Sequence, residues 1–265
     1  PLAMLGVLGG GAWELASWAL QPMTAVLVWM SAWPLASVSM AMPPWSLGML
    51  ALTGALGLVL RMPLSWKLLC LPLLWPVLFW SPPRPVHGQF ELLAADVGQG
   101  NAVLVRTAKH SLLYDAGPRY SAESDAGHRV LVPLLAQMGE RLDVLMLSHR
   151  DSDHTGGAAA VLAMQQQAAL WSSLEDEHPL HVLRPDWTRC QAGQSWVWDG
   201  VQFEVLHPPA PDVRPRTRKP NEVSCVLRIG TPQASVLLAG DIEAPQELAL
   251  VQAGLGPVDV LLAPH

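Results

Sequence analysis

A chain of 265 residues with a net charge of −6 and three cysteines can hold one large domain or two smaller ones. The acidic balance excludes tight duplex binding driven by bulk positive charge, and the scattered cysteines, without any C-x-x-C, exclude a disulfide framework. The averages hide a division: residues 1–80 carry only Glu14, Arg61 and Lys67 as formal charges, a net +1 that leaves −7 for residues 81–265.

The first stretch also holds eight of the 12 Trp and seven of the 10 Met, a membrane composition joined to an ordinary soluble one. Apolar runs at 15–38, 45–60 and 64–80 predict transmembrane helices. A span needs about 20 apolar residues, which the first run meets and the other two barely approach. A buried helical core or a re-entrant hairpin is the competing reading. Arg61 and Lys67 between the second and third runs place that link on the cytoplasmic side, so residue 81 onward is expected outside. Arg84 votes the other way. The proline-rich SPPRP at 81–85 reads as a stiff linker. The expected organisation is transmembrane helices over 1–80, a linker over 81–88 and a soluble domain over 89–265. With no initiator Met, no signal peptide and an end just after an apolar run, the chain reads as a C-terminally truncated, internal piece of a longer protein.

In the soluble part, alternation and turn residues predict strands at 89–95, 102–107 and 111–114, then a helix over 128–138 stopped by Gly139. A buried strand at 142–147 follows, and a helix opens at Gly156-Gly157 and runs to about residue 167. Short strands are expected at 181–184, 195–198, 201–206, 222–229 and 234–239, then a helix at 245–253 and a last strand at 258–262. Cys190 and Cys225 read as two ordinary thiols, with a disulfide left open for an extracytoplasmic domain.

The strand at 142–147 runs into SHRDSDHTGG at 148–157. His149, Asp151, Asp153 and His154 are metal-ligand types, and a hydrophobic core does not call for them together. The pattern recurs: LDVLMLSH at 142–149 matches VDVLLAPH at 258–265, and SLLYDAG at 111–117 resembles SVLLAGD at 235–241. Each half reads as strand–Asp, helix, strand–His. Two such halves packed together would bring Asp115, Asp241, His149 and His265 to one rim.

These motifs carry a resemblance. HRDSDH at 149–154 resembles the H-x-H-x-D-H motif of the metallo-β-lactamase superfamily, with Asp151 in the second histidine's place. DVGQG at 96–100, YDAGP at 114–118 and SHRDSDHTGG are more narrowly similar to the C-terminal domain of ComEC-type DNA-uptake proteins, in which hydrophobic helices precede this domain. The resemblance implies an αββα sandwich behind transmembrane helices, in the bacterial inner membrane, with the soluble domain on the extracytoplasmic side. It implies one or two divalent ions, Mn²⁺ or Zn²⁺, with His149 and Asp151 on one, Asp153, His154 and His265 on the other, and Asp241 bridging. Asp115, with Asp96 as a further supporting residue, would order the histidine loop. The third-motif histidine is missing: its place holds NEVS at 221–224, and oxygen-rich ligation suits a harder ion such as Mn²⁺.

The implied activity is that of a membrane-tethered nuclease acting on DNA, single-stranded or duplex, beside the DNA-uptake machinery. A metal pair ionises water and offsets the charge that builds on a phosphodiester; Asp153, Asp151 and His149 are the catalytic candidates. Asn221, Ser224, Arg214, Arg216, Arg218 and Lys219 are candidate substrate contacts, against a plain turn and a solvated loop. The alternatives are a thioester or lactam hydrolase on the same fold, or a decayed domain supporting a DNA channel. His207 is a candidate stand-in ligand or a turn residue; His87, His110, His178 and His181 read as surface or turn residues.

Overall fold

The computed structural model describes residues 10–31, 33, 41–210 and 219–264. The chain packs as two units, Pro1–Met40 and Ala41–His265. In the first, the described element is one helix, α1 (Gly10–Ser31), with Pro22 inside it.

The second unit opens with two helices, α2 (Trp45–Val59) and α3 (Leu64–Leu78), entered at Pro44 and Pro63. They meet where α2 is smallest: a Cβ at Gly57 would lie 2.3 Å from Cys70 Sγ. Elsewhere the pair exposes large apolar side chains, among them Trp45, Val59, Leu64 and Leu69. The transmembrane helices expected over residues 1–80 find no support among the described residues, where no helix is long and apolar enough to cross a membrane. α2 and α3 have 15 residues each, about 22 Å of helix against a hydrocarbon core of about 30 Å. α1 has 22 residues, but Glu14, Gln21 and Pro22 dilute it.

After α3 the alternating pattern builds an αββα sandwich. The first sheet has the order β1 (Glu91–Ala94), β2 (Val103–Arg106), β3 (Ser111–Tyr114), β6 (Val144–Leu147), β7 (Ala169–Ser172) and β8 (Thr188–Arg189). The second runs β13 (Val260–Leu262), β12 (Ser235–Leu238), β11 (Val226–Gly230), β10 (Val201–His207) and β9 (Ser195–Trp198). A small ribbon, β4 (Arg119–Ser121) with β5 (Ser124–Asp125), stands apart.

Side chains that alternate along a strand face opposite layers. Val103, Val105, Leu112, Tyr114, Val144 and Met146 meet Phe203, Val205, Leu227, Ile229, Val236 and Leu238 between the sheets. Their alternates Leu104, Leu113, Leu145 and Leu147 pack outward with Leu131, Leu135, Val161 and Leu162. Those partners come from a π-helical turn (Gly127–Leu131), α4 (Val132–Met138) and α6 (Ala158–Met164). On the far side Leu237, Ala239 and Ile242 pack with Leu250 of α8 (Ala244–Gln252). Burial on both faces explains why these strands read as nearly continuous apolar runs.

The sequence repeat is also topological. β3 pairs parallel with β6 across α4, and β12 pairs parallel with β13 across α8. Parallel neighbours need such a crossover, and both crossovers end their first strand close to an aspartate and their second close to a histidine.

Three local expectations change. Residues 181–184 are not a strand: Leu180–Leu183 forms a short helix, α7. His181 is buried rather than at the surface, 2.9 Å from Ser172 Oγ and stacked on Trp187. The helix expected from 156 to about 167 is α6, shorter at both ends, and a separate one-turn helix, α5 (Ser152–Thr155), precedes it. Cys190 and Cys225 are joined as a disulfide, with Cα atoms 5.9 Å apart. One follows β8 and the other precedes β11, so the bond staples sheet to sheet, a pairing that sequence spacing does not reveal.

The linker is bolted down. Buried Glu140 accepts hydrogen bonds from Arg84 Nη1 at 3.1 Å, Arg106 Nε at 2.6 Å and Ser111 Oγ at 2.6 Å. Arg84 Nη2 also donates to His110 O at 2.8 Å.

Candidate metal centre

The site grows from two strand ends. β3 leads directly into Asp115, fully buried with a left-handed φ of 59°. β6 ends one residue before Ser148. Asp115 Oδ1 accepts the Ser148 amide at 2.7 Å, and Oδ2 accepts the Ser148 hydroxyl at 2.8 Å. The same Oδ2 lies 2.8 Å from His154 Nδ1. A carboxylate on Nδ1 leaves Nε2 as the ligand nitrogen and sets the ring's direction. Ser148 Oγ, 3.0 Å from His149 Nδ1, does the same for the second ring.

Both Nε2 atoms are buried and have no hydrogen-bond partner. Leaving a buried polar atom unpaired costs about 1–3 kcal/mol, so two side by side call for a shared partner. Acids surround them: Asp241 Oδ2 is 3.4 Å from His154 Nε2, Asp151 Oδ2 is 3.5 Å from His149 Nε2, and Asp153 Oδ2 is 4.0 Å from His154 Nε2. His149, His154 and Asp241 each offer one atom, all within 4.8 Å of one another. Ligands about 2.1 Å from a tetrahedral ion lie about 3.4 Å apart. The donor set fits a divalent metal.

The electrostatics agree. Burial pushes the His154 ring down, but its hydrogen bond and charge interaction with Asp115, and then the nearby Asp241 carboxylate, raise it to about 10. His149 is held low, by burial and then by the charge on His154, against Asp115, Asp241 and Asp151. The pocket is built around positive charge, and one His149 nitrogen stays neutral for it.

Supporting bonds come from both sheets. Cys225 N donates to Ser148 O at 2.8 Å, and Ser173 Oγ donates to the same carbonyl. Tyr114 Oη donates to Cys225 O at 2.6 Å. Burial, then the charges of Asp115 and Asp241, pushes the Tyr114 hydroxyl well up, so it stays protonated.

The structure brings together His149, Asp151, Asp153, His154 and Asp241, with Asp115 beneath them. His265, Arg214, Arg216 and Arg218 lie outside the described residues. Asp96 is exposed and accepts the Gly98 amide at 3.2 Å, shaping its own turn. Lys219 is exposed, and Asn221 begins a short 3₁₀ turn. Ser224 is corrected from a substrate contact to a support: it is fully buried, and its Oγ accepts the Asp241 amide at 3.3 Å. His207 is buried with Nδ1 2.9 Å from Ser224 O, outside the donor group. Sequence reasoning overlooked Ser148, although a serine directly after four apolar strand residues and before the first histidine marks the place.

A profile of the family described as "Metallo-beta-lactamase superfamily" matches residues 95–265. The chain belongs to the metallo-β-lactamase superfamily. Its members are metal-dependent hydrolases, in keeping with the donor set above. "Recombination protein 2" of Haemophilus influenzae is 34% identical over 207 residues, 78% of this chain and 24% of that protein. "Competence protein ComA" of Neisseria gonorrhoeae is 35% identical over 236 residues, 85% of this chain and 30% of that protein. The chain thus spans about a quarter to a third of the length of these relatives. A metallo-β-lactamase variant from Cronobacter sakazakii superimposes with a TM-score of 0.44 at 18% identity, covering 66% of this chain and 77% of that one.

Proposed function

We propose that this metallo-β-lactamase-fold domain is a metal-dependent nuclease of a ComEC-type DNA-uptake protein, tethered to the bacterial inner membrane. The observation that carries the reading is the pair of buried, unpartnered Nε2 atoms of His149 and His154 facing Asp241, in a chain similar to proteins named for competence and recombination. His149 and Asp151 would hold one ion, Asp153 and His154 with His265 a second, and Asp241 would bridge. Mn²⁺ and Zn²⁺ are the candidates; two histidines among several carboxylates suit the harder ion.

When bound, such ions ionise water near neutral pH and offset the negative charge that builds on a phosphodiester. Asp153, partly exposed beside His154, would orient the attacking water and take its proton. Asp151, half exposed beside His149, would face the incoming strand. Arg214, Arg216, Arg218 and Lys219 would contact the backbone of a DNA strand handed over by the uptake machinery.

Two features support the setting. The helices α2 and α3 display apolar side chains around much of their surface, which lipid would cover, with residues 81–88 as the link to the hydrolase domain. The Cys190–Cys225 disulfide suits an oxidising, extracytoplasmic compartment. The test uses labelled single-stranded and duplex DNA with Mn²⁺ or Zn²⁺. Cleavage should appear with metal and vanish with chelator, in His149→Ala and in Asp153→Ala. Cleavage indifferent to both substitutions, or hydrolysis of thioesters alone, would refute it.

A further inference from the structure

The turn at 96–101 belongs to no strand and offers no metal ligand, yet it is held firmly. Asp96 accepts the Gly98 amide at 3.2 Å, Tyr120 Oη donates to Val97 O at 2.8 Å, and Gly117 N donates to Asn101 O at 2.9 Å. Val97 is buried. What the turn touches is the metal loop. At Gly100, φ is +91°, and a Cβ would lie 1.9 Å from the Asp153 carbonyl oxygen, 2.7 Å from its carbon and 2.8 Å from its Cβ. Backbone thus meets backbone with no space for any side chain, and the glycine hydrogen points at that oxygen as a weak donor. Gly98, two residues earlier, has φ +79° and nothing within 4 Å of the same built atom.

We propose that Gly100 is a positioning residue: the 96–101 turn presses on the backbone of Asp153 and sets where its carboxylate stands relative to His154. The inference rests on the metal-centre reading above, and extends it to a loop that supplies no ligand. A side chain at Gly100 must move Asp153, since the backbone it meets cannot swing aside as a flexible side chain can. A side chain at Gly98 meets only the conformational penalty of positive φ.

The experiment compares Gly100→Ala with Gly98→Ala in the full chain, reading Zn²⁺ and Mn²⁺ affinity by calorimetric titration. Gly100→Ala should lose affinity about tenfold or more, as when an orienting partner is removed, while Gly98→Ala stays within about twofold of wild type. In an Asp153→Asn background the Gly100→Ala loss should shrink to about twofold or less, the coupling expected of residues acting through one another. Should Gly100→Ala fail to fold, Tyr120→Phe relaxes the same turn from an exposed position and should lose affinity only when Asp153 is intact. Equal losses in the two glycine variants, or losses that add to Asp153→Asn, would overturn the proposal while leaving the metal centre standing. Wild-type protein that binds neither ion would overturn both.

Discussion

Asp115 Oδ2 lies 2.8 Å from His154 Nδ1, and neither side chain meets solvent. One buried carboxylate therefore sets the direction of a ligand ring and, through Ser148, the backbone just before the other ligand ring. Asp115→Asn keeps the shape but loses the charge, so metal affinity should fall about 10–100-fold. In the metal-free protein the His154 ring, now at about 10, should titrate lower, because the largest upward influence on it is gone. Histidine NMR across pH, alongside metal titration, checks both.

Metal removal should destabilise the domain, because an ion that binds the folded chain alone stabilises it in proportion to the logarithm of its excess over Kd. A chelator should lower the melting temperature of wild type and leave that of His149→Ala nearly unchanged. Calorimetric melts with and without chelator read the difference directly.

The disulfide reaches the metal loop through one bond, Cys225 N to Ser148 O at 2.8 Å. It closes a sequence separation of 35 residues, for which loop entropy gives about 4 kcal/mol. Reduction, or Cys190→Ala with Cys225→Ala, should lower stability by about 2–4 kcal/mol and speed metal loss. Urea melts under oxidising and reducing conditions measure the first, and the rate of metal transfer to a chelator measures the second.

Glu140 answers two arginines in a buried setting. Glu140→Leu would leave the buried Arg106 held only by the half-exposed Glu91 and the Pro83 carbonyl, and should cost about 1.5–3 kcal/mol. It should also free the 81–88 linker, seen as new proteolytic cleavage near Arg84. Unchanged cleavage would show that the linker is held by other means.

Asp199 carries an acid-side dependence outside the metal centre. Burial pushes its carboxyl up, but hydrogen bonds from the Thr107 hydroxyl and the Lys109 amide, with the charges of His110 and Lys109, outweigh that and hold it below the usual range. Folding thus favours the charged form. Its contribution is present above the ordinary aspartate value near 4 and is lost as pH falls through the lower folded value. Asp199→Asn should weaken the domain at pH 7 and flatten the loss of stability on acidification, measured by urea unfolding at pH 7 and pH 3.

Much of this was legible in the residues. Apolar runs marked β2, β3, β6 and β12, since a strand buried on both faces has to be apolar almost throughout. The 142–149 and 258–265 repeat marked two strand–helix–strand halves, and a helix between two strands lets the second return parallel beside the first, as both do. HRDSDH exposed the metal donors, since charged and imidazole groups gathered directly after a buried strand have no packing reason to be there. Local chemistry decides such features, and local chemistry is written in the sequence.

What the tertiary structure alone decided was which distant groups meet. Cys190 and Cys225 are joined because the ends of two sheets converge, and Ser224 lies buried under Asp241 rather than facing a substrate. His181 sits on a helix because Ser172 and Trp187 wait for its ring. Gly100 matters because the backbone of Asp153 arrives where its side chain would have been. No periodicity encodes these meetings, because they depend on chain segments separated by tens of residues closing to within a few ångströms.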